Sequence, residues 1–249
     1  MMSNAVIPAA CGDWTAACAV QQRFMHVLAP TSDSPDHSGR CRQVCELGGD
    51  CYDFLPLPQE RLAFAVADAS GKGLAAALMI ANVQSSLRTA AMFAGDDGTA
   101  VMEAVNCQVH ASSLADRFAT LFYGVFDRAT RRLRYVNAGH NAPLVIWRDG
   151  SITYLESGGA PVGMFSDWTY QEQTIQLDAG DLVIAYTDGV VEAVNPTGEE
   201  WGVDGLIRAV SECNDSTADE VVAGIFQCLD EFSQGRQTDD STVAVLRVL

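Results

Sequence analysis

The sequence predicts an α+β layered domain built on antiparallel sheets. Three observations lead there. Segments of strand character follow one another without the strand–helix–strand alternation of a parallel sheet, and the helical segments fall into groups. Residues 48–73, GGDCYDFLPLPQERLAFAVADASGKG, read as a β-hairpin that runs into a helix.

The hairpin organises the rest. Residues 52–57 are rich in aromatic and apolar side chains, residues 61–69 form an apolar strand, and Pro58, Gln59 and Glu60 supply the turn between them. A turn centred near Gln59 sets Asp50 opposite Asp68. Directly opposed Cβ atoms lie about 4.5–5.5 Å apart, and like charges at that distance destabilise the pair. A divalent cation between them is the simplest remedy. Leu62, Phe64, Val66 and Asp68 share one face of the strand, so the acid sits where a buried face meets an opening. An ordinary strand–turn–helix with Asp68 as a turn former accounts for the hairpin alone equally well.

In chain order, residues 14–28 suit a helix with Ala17, Val20, Phe24 and Val27 at three- and four-residue steps, stopped by Pro30. Residues 31–39 read as a polar loop. After the hairpin, residues 74–94 form a strong helix with Ala76, Ile80, Val83, Leu87 and Ala90 in one stripe. Thr99 is the expected cap of a second helix, with Met102, Val105 and Val109 as its buried stripe. Strands are expected at 119–127, 132–138, 143–147, 152–155, 170–177 and 181–187. Helices follow at 203–213 and 217–232, and a closing strand at 242–249. This divides the chain into an N-terminal segment, 1–39, with a coupling or docking helix and a linker, and a folded domain, 40–249.

With 249 residues, the chain is long enough to bury a large core. Hydrophobic residues make up 48% and charged residues 19%, which indicates a globular rather than a disordered protein. A net charge of −17 argues against a nucleic-acid or anionic-membrane partner. It also means that a phosphate ester needs bound cations to approach. The eight cysteines form no CxxC pair and no zinc spacing. No signal-peptide pattern is evident, and the longest apolar run, residues 74–81, is too short to span a bilayer. A reducing cytoplasm and no membrane insertion are the expectations.

Acids recur at strand ends. Asp50 and Asp68 belong to the hairpin. Asp188 ends the apolar run LVIAYTDG, and Asp239 and Asp240 precede the last strand. If those last two strands are antiparallel neighbours, Asp188 and Asp239 lie at the same sheet edge. Hard cations such as Mg²⁺ and Mn²⁺ prefer such oxygen ligands.

GGDCYDF, DASGKG, NAGHN, GAPVG, GDLVIAYTDGVVEA and TDDSTV occur in this order. The chain resembles the metal-dependent serine/threonine phosphatases of type 2C, in their bacterial SpoIIE/RsbU-like branch, over residues 41–249. The resemblance implies a four-layer αββα sandwich, two antiparallel sheets flanked by helix pairs, with two Mn²⁺ or Mg²⁺ ions in the cleft between the sheets. It assigns one ion to Asp50 and makes Asp68 a bridge between both, helped by the backbone carbonyl of Ala69. The other ion falls to Asp188 and to Asp239 or Asp240, with Asp239 favoured by the family pattern. The implied chemistry is hydrolysis of phosphoserine or phosphothreonine by metal-activated water. The implied substrate is a phosphorylated regulatory protein of the anti-sigma-factor-antagonist type. An upstream sensor domain or activator and a homodimer through residues 14–29 are further expectations.

Other motif residues read more plainly. His140 is either a general acid or, the favoured reading, a structural histidine fixing a turn. Ser70 is part of a turn. Lys72 lies in GKG, but no glycine stands five residues before Gly71 and no Ser or Thr follows Lys72, so ATP binding is not expected. No arginine matches the phosphate-gripping arginine of eukaryotic members, with Arg42 the nearest guess. The rival reading is a catalytically weak or inactive module that binds a partner through the same cleft. Retention of all the acids argues against it. A second rival is a phosphatase acting on small molecules.

Overall fold

A computed structural model describes residues 11–24, 35–114, 116–156, 158–213 and 216–249. Helix α1 (Cys11–Phe24) precedes strands β1 (Asp36–Arg42), β2 (Asp50–Leu57) and β3 (Arg61–Ala69). Helices α2 (Leu74–Ala94) and α3 (Gly98–Ser112) follow. Next come β4 (Ala119–Asp127), β5 (Arg132–Ala138), β6 (Leu144–Ile146), β7 (Ile152–Tyr154), β8 (Gln173–Gln176) and β9 (Leu182–Tyr186). The short α4 (Asp188–Val191), then α5 (Gly202–Ser211), α6 (Ala218–Ser233) and β10 (Ser241–Arg247) complete the order.

The strands form two antiparallel five-stranded sheets, one in the order β1-β10-β9-β6-β7 and the other β2-β3-β4-β5-β8. Alternation along β3 explains how they stack. Ala63, Ala65, Ala67 and Ala69 point to one side and pack against Ile80, Val83 and Leu87 of α2 and Met102 and Val105 of α3. Leu62, Phe64 and Val66 point to the other side, where they meet Val183, Ala185, Ala244 and Leu246 of the opposite sheet. The outer face of that sheet is covered by Leu206 of α5 and Val222, Ile225 and Phe226 of α6. The result is the four-layer sandwich, and each fully buried Leu, Val or Phe in it contributes about 1.5–3 kcal/mol.

Several local expectations are corrected. Within the expected loop 31–39, residues 36–39 are already strand, paired with β10 from Asp36↔Arg247 onward. Its sequence, DHSGRCR, hides the strand because one side of an edge strand faces solvent and tolerates polar residues. Residues 25–34, with Val27 and Pro30, lie outside the described residues. Asp97, not Thr99, caps α3: its side chain accepts from the Ala100 N–H at 3.0 Å. Asp is a strong cap and Thr99 falls inside the helix. In α1, Val20 of the expected apolar stripe is exposed, and the buried residue is Gln21. That helix is held by polar contacts. Strands β6 to β9 are each shorter than expected.

Candidate metal centre

The hairpin places its two acids as the turn chemistry predicts. Asp50 pairs directly with Asp68, and Gln59 and Glu60 at the turn both adopt positive φ. Strands β9 and β10 are antiparallel neighbours with Tyr186 opposite Val243. Asp188, just after β9, and Asp239, just before β10, therefore come to one sheet edge. Gly189 makes the approach of these two chain segments feasible. A Cβ there would lie 2.0 Å from the Asp240 carbonyl oxygen and 3.1 Å from the Asp239 Cβ.

The two sheets meet at Asp50, which is 2% exposed. Its Oδ2 accepts hydrogen bonds from Thr187 Oγ1 and Thr242 Oγ1, each at 2.7 Å. Both hydroxyls come from the opposite sheet, and Thr187 Oγ1 also accepts from the Thr242 N–H at 3.0 Å. The sequence motifs contain both threonines, Thr187 just after β9 and Thr242 second in β10, but nothing local marks them as partners of Asp50.

Electrostatics report crowding. Burial, then the charge of Asp188 and that of Asp239, push the Asp68 carboxyl up to about 7, partly offset by a hydrogen bond to Asp50. Burial and the neighbouring Asp68 raise Asp50 well above the usual carboxylate range, against the two threonine hydrogen bonds. Burial and the charge of Asp239 raise Asp188 as well. Each shift reports an ionised form disfavoured by desolvation and by like charge.

Asp239 and Asp240 divide their tasks. Both oxygens of Asp240 are engaged by backbone, accepting from the Val44 and Gly49 N–H groups at 2.7 Å each. Asp240 thereby ties down the loop that leads into Asp50. Asp239 Oδ2 lies in the cleft, 2.7 Å from Lys72 Nζ. Ala69 belongs to the same junction, its N–H donating to the Gly49 carbonyl at 2.9 Å. Gln21 of α1 grips that loop from outside. Its amide donates to the Gly48 carbonyl at 2.7 Å and accepts from the Gly48 N–H at 3.2 Å.

The remaining motif residues have structural partners. Buried His140 has Nδ1 2.8 Å from Thr120 Oγ1, its N–H donates to Asn137 Oδ1 at 2.8 Å, and burial lowers its pKa to about 4. Ser70 Oγ accepts from the Phe118 N–H at 3.1 Å. Arg42 is turned away, paired with Asp230 at 2.6 Å and set over the Phe226 ring, so it does not reach the cleft.

Among the described residues no three His, Cys, Asp or Glu side chains converge on one point, so the acids line the cleft without forming a closed cage. Mg²⁺ keeps several waters and is commonly held by one or two carboxylates. An all-oxygen, overcrowded set of acids is therefore a donor set that fits a hard divalent cation. Larger hollows of about 510 Å³ between α2 and α3 and about 810 Å³ beside β6, β7 and α5 have no carboxylate in their lining. Chemistry, not volume, marks the site.

The fold and the acid-lined cleft between two sheets define a PP2C-type phosphatase domain. A solved structure of the SiaA PP2C domain of Pseudomonas aeruginosa superposes with a TM-score of 0.82 at 18% identity, covering 95% of this chain and 96% of that one. The family model for Stage II sporulation protein E (SpoIIE) matches residues 58–249, and the chain belongs to that family. Protein IcfG of Synechocystis is 29% identical over 92% of this chain and 40% of its own length. Phosphoserine phosphatase RsbU of Bacillus subtilis is 27% identical over 93% of this chain and 68% of its own. The chain thus spans well under half of IcfG and about two thirds of RsbU. Among the described residues no helix is long and apolar enough to cross a membrane.

Proposed function

We propose that this chain is a metal-dependent serine/threonine protein phosphatase. In this reading its substrate is a phosphoserine or phosphothreonine on a regulatory protein of the anti-sigma-factor-antagonist type. The single observation that supports the reading is that Asp50, Asp188 and Asp239 all lie near enough to Asp68 to act on its carboxyl, around one end of the inter-sheet cleft, without closing into a cage. The name of RsbU and the family membership support the substrate class.

Two Mn²⁺ or Mg²⁺ ions bound there would supply an activated water and offset charge on the phosphoryl group. Asp50, oriented by Thr187 and Thr242, and Asp68 with the Ala69 carbonyl, Asp188 and Asp239 are the groups that would hold them. Asp239 is preferred to Asp240 as the ligand, because Asp240 has the task of tying down the loop through the Val44 and Gly49 N–H groups. No side-chain nucleophile is required. Buried, neutral His140 supports the strand end that carries Asp68, since Thr120 pairs with Asp68 in the register.

Helix α1 is read as a coupling element in a cytoplasmic protein that answers to an upstream sensor or activator. Gln21 supports this reading, because it connects α1 to the residue two before Asp50. The proposed dimer through residues 14–29 extends past Phe24 into residues outside those described. Deleting residues 1–34 tests both: unchanged activity together with an unchanged oligomeric state removes the coupling role.

The test of the activity is release of phosphate from phosphoproteins with added Mn²⁺. Wild type is expected to be active, and Asp68→Ala to lose at least about a hundredfold, more than changes around a metal's ligands typically produce. Wild type that is inert on several phosphoproteins at saturating Mn²⁺, while still binding a partner protein, supports the inactive-module reading instead.

A further inference from the structure

We propose that Lys72 is the residue that grips the phosphoryl oxygens of the substrate, in a cleft that no arginine lines among the described residues. The inference rests on the two-metal phosphatase reading above and deepens it.

The cleft between the loop before β2, the turn after β3 and the segment before β10 is lined by Leu47, Gly49, Asp68, Lys72, Asp239 and their neighbours. Lys72 is the only basic side chain in that lining among the described residues. The other basic residues near the site are committed elsewhere. Arg42 pairs with Asp230, and Arg117 donates from Nη1 to the Ser70 carbonyl at 2.8 Å.

Arg117 also fixes the backbone that presents Lys72. It packs under Gly71, where a Cβ would lie 2.0 Å from its Nη1. Gly71 and Gly73 both adopt positive φ, at 92° and 74°, so the residue between them is held on a sharply defined turn. The side chain itself lies open to solvent. It is 62% exposed, with Nζ 2.7 Å from Asp239 Oδ2 and 3.1 Å from the Thr238 carbonyl. An exposed ion pair of this kind is weak, so the ammonium can exchange one oxyanion for another.

Charge balance gives it a reason to do so. Asp50, Asp68, Asp188, Asp239 and Asp240 bring five negative charges, and two divalent cations bring four positive ones. One negative charge is left facing a phosphate ester that is itself a dianion. Lys72 cancels it, and in a protein with a net charge of −17 no long-range field does the same. Its four-carbon stem and three rotatable donors suit a phosphate oxygen whose position is set by other groups.

The experiment uses the full chain as wild type, Lys72→Met and Lys72→Arg. Mn²⁺ is titrated calorimetrically into each, and inorganic phosphate is then titrated into the Mn²⁺-loaded protein. All three are expected to bind Mn²⁺, Lys72→Met at least as tightly as wild type because a competitor for Asp239 is gone. Phosphate binding to Lys72→Met should weaken by about tenfold or more, the scale of losing a charge-assisted hydrogen bond, with Lys72→Arg recovering most of it. KM for a phosphoprotein should rise in Lys72→Met by more than kcat falls. Wild-type phosphate affinity in a Mn²⁺-loaded Lys72→Met protein overturns the proposal and leaves the metal reading intact. So does a loaded wild type that binds no phosphate. Loss of Mn²⁺ affinity in Lys72→Met makes Lys72 a support of the metal loop and overturns the proposal too. Absence of Mn²⁺ binding in wild type overturns both the proposal and the reading beneath it.

Discussion

One face of the β2–β3 hairpin carries two directly opposed pairs of opposite character. Phe54 faces Phe64, with rings stacked at 6.1 Å inside an aromatic row that continues through Phe122 to Tyr135. Asp50 faces Asp68 at the far end of the same two strands, in the same register and on the same side. The aromatic pair fills the space between the sheets and needs nothing else. The acidic pair raises the energy of the fold on its own and gains only when a cation joins it. A single strand pairing thus supplies both the rigidity and the strain, and the first is what makes the second tolerable.

The comparison can be broken from either side. Phe64→Ala attacks the aromatic end and should destabilise the protein by about 3–5 kcal/mol, read by denaturant unfolding. Asp68→Asn attacks the acidic end and should do the reverse in metal-free protein. The raised Asp68 carboxyl contributes stability that is fully present below its unfolded value near 4 and lost as pH rises through about 7. Metal-free wild type should therefore fall behind Asp68→Asn by on the order of 2 kcal/mol between pH 4 and pH 7.5. Added Mn²⁺ should close the gap at pH 7.5 for wild type alone. Buried His140 acts with the opposite sign. Its pKa is lowered to about 4, so its contribution is present above about 6.5 and fades as pH falls. The difference between the two proteins removes the His140 contribution and reports Asp68 together with its effect on Asp50. The smallest effect is expected from Thr187→Val, which removes one of the two hydroxyls on Asp50. Mn²⁺ affinity should weaken by about tenfold, measured by calorimetry. Stability should change by about 1 kcal/mol.

The same contrast explains what the sequence disclosed. The hairpin was legible to the residue because turn residues fix register, and register fixes which side chains meet. The stripes of α2 and α3 were legible because Ile80, Val83, Leu87, Met102 and Val105 all obey the helical period and all face the sheet. Strand β1 was not legible, since an edge strand that borrows its backbone partners from β10 needs no apolar alternation. Nor was the role of Gln21, because a side chain that packs through hydrogen bonds to Gly48 leaves no periodic trace. Within the cleft, the acids could be read from strand ends. The partners of each oxygen could not, because they come from strands more than a hundred residues away: Thr187 and Thr242 lie 137 and 192 positions from Asp50.

Strand β1 also lies about two hundred positions from the neighbour it zips onto, since Asp36 meets Arg247 and Arg42 meets Ser241. A ribosome making this protein must pass residue 241 before strand β1 has any edge to join, and residue 247 before the pairing is complete. The hairpin and α2 can form much earlier, but Asp239 and Thr242 join them only after the intervening strands and helices have been made. The acid-lined cleft is therefore among the last parts of this domain to close.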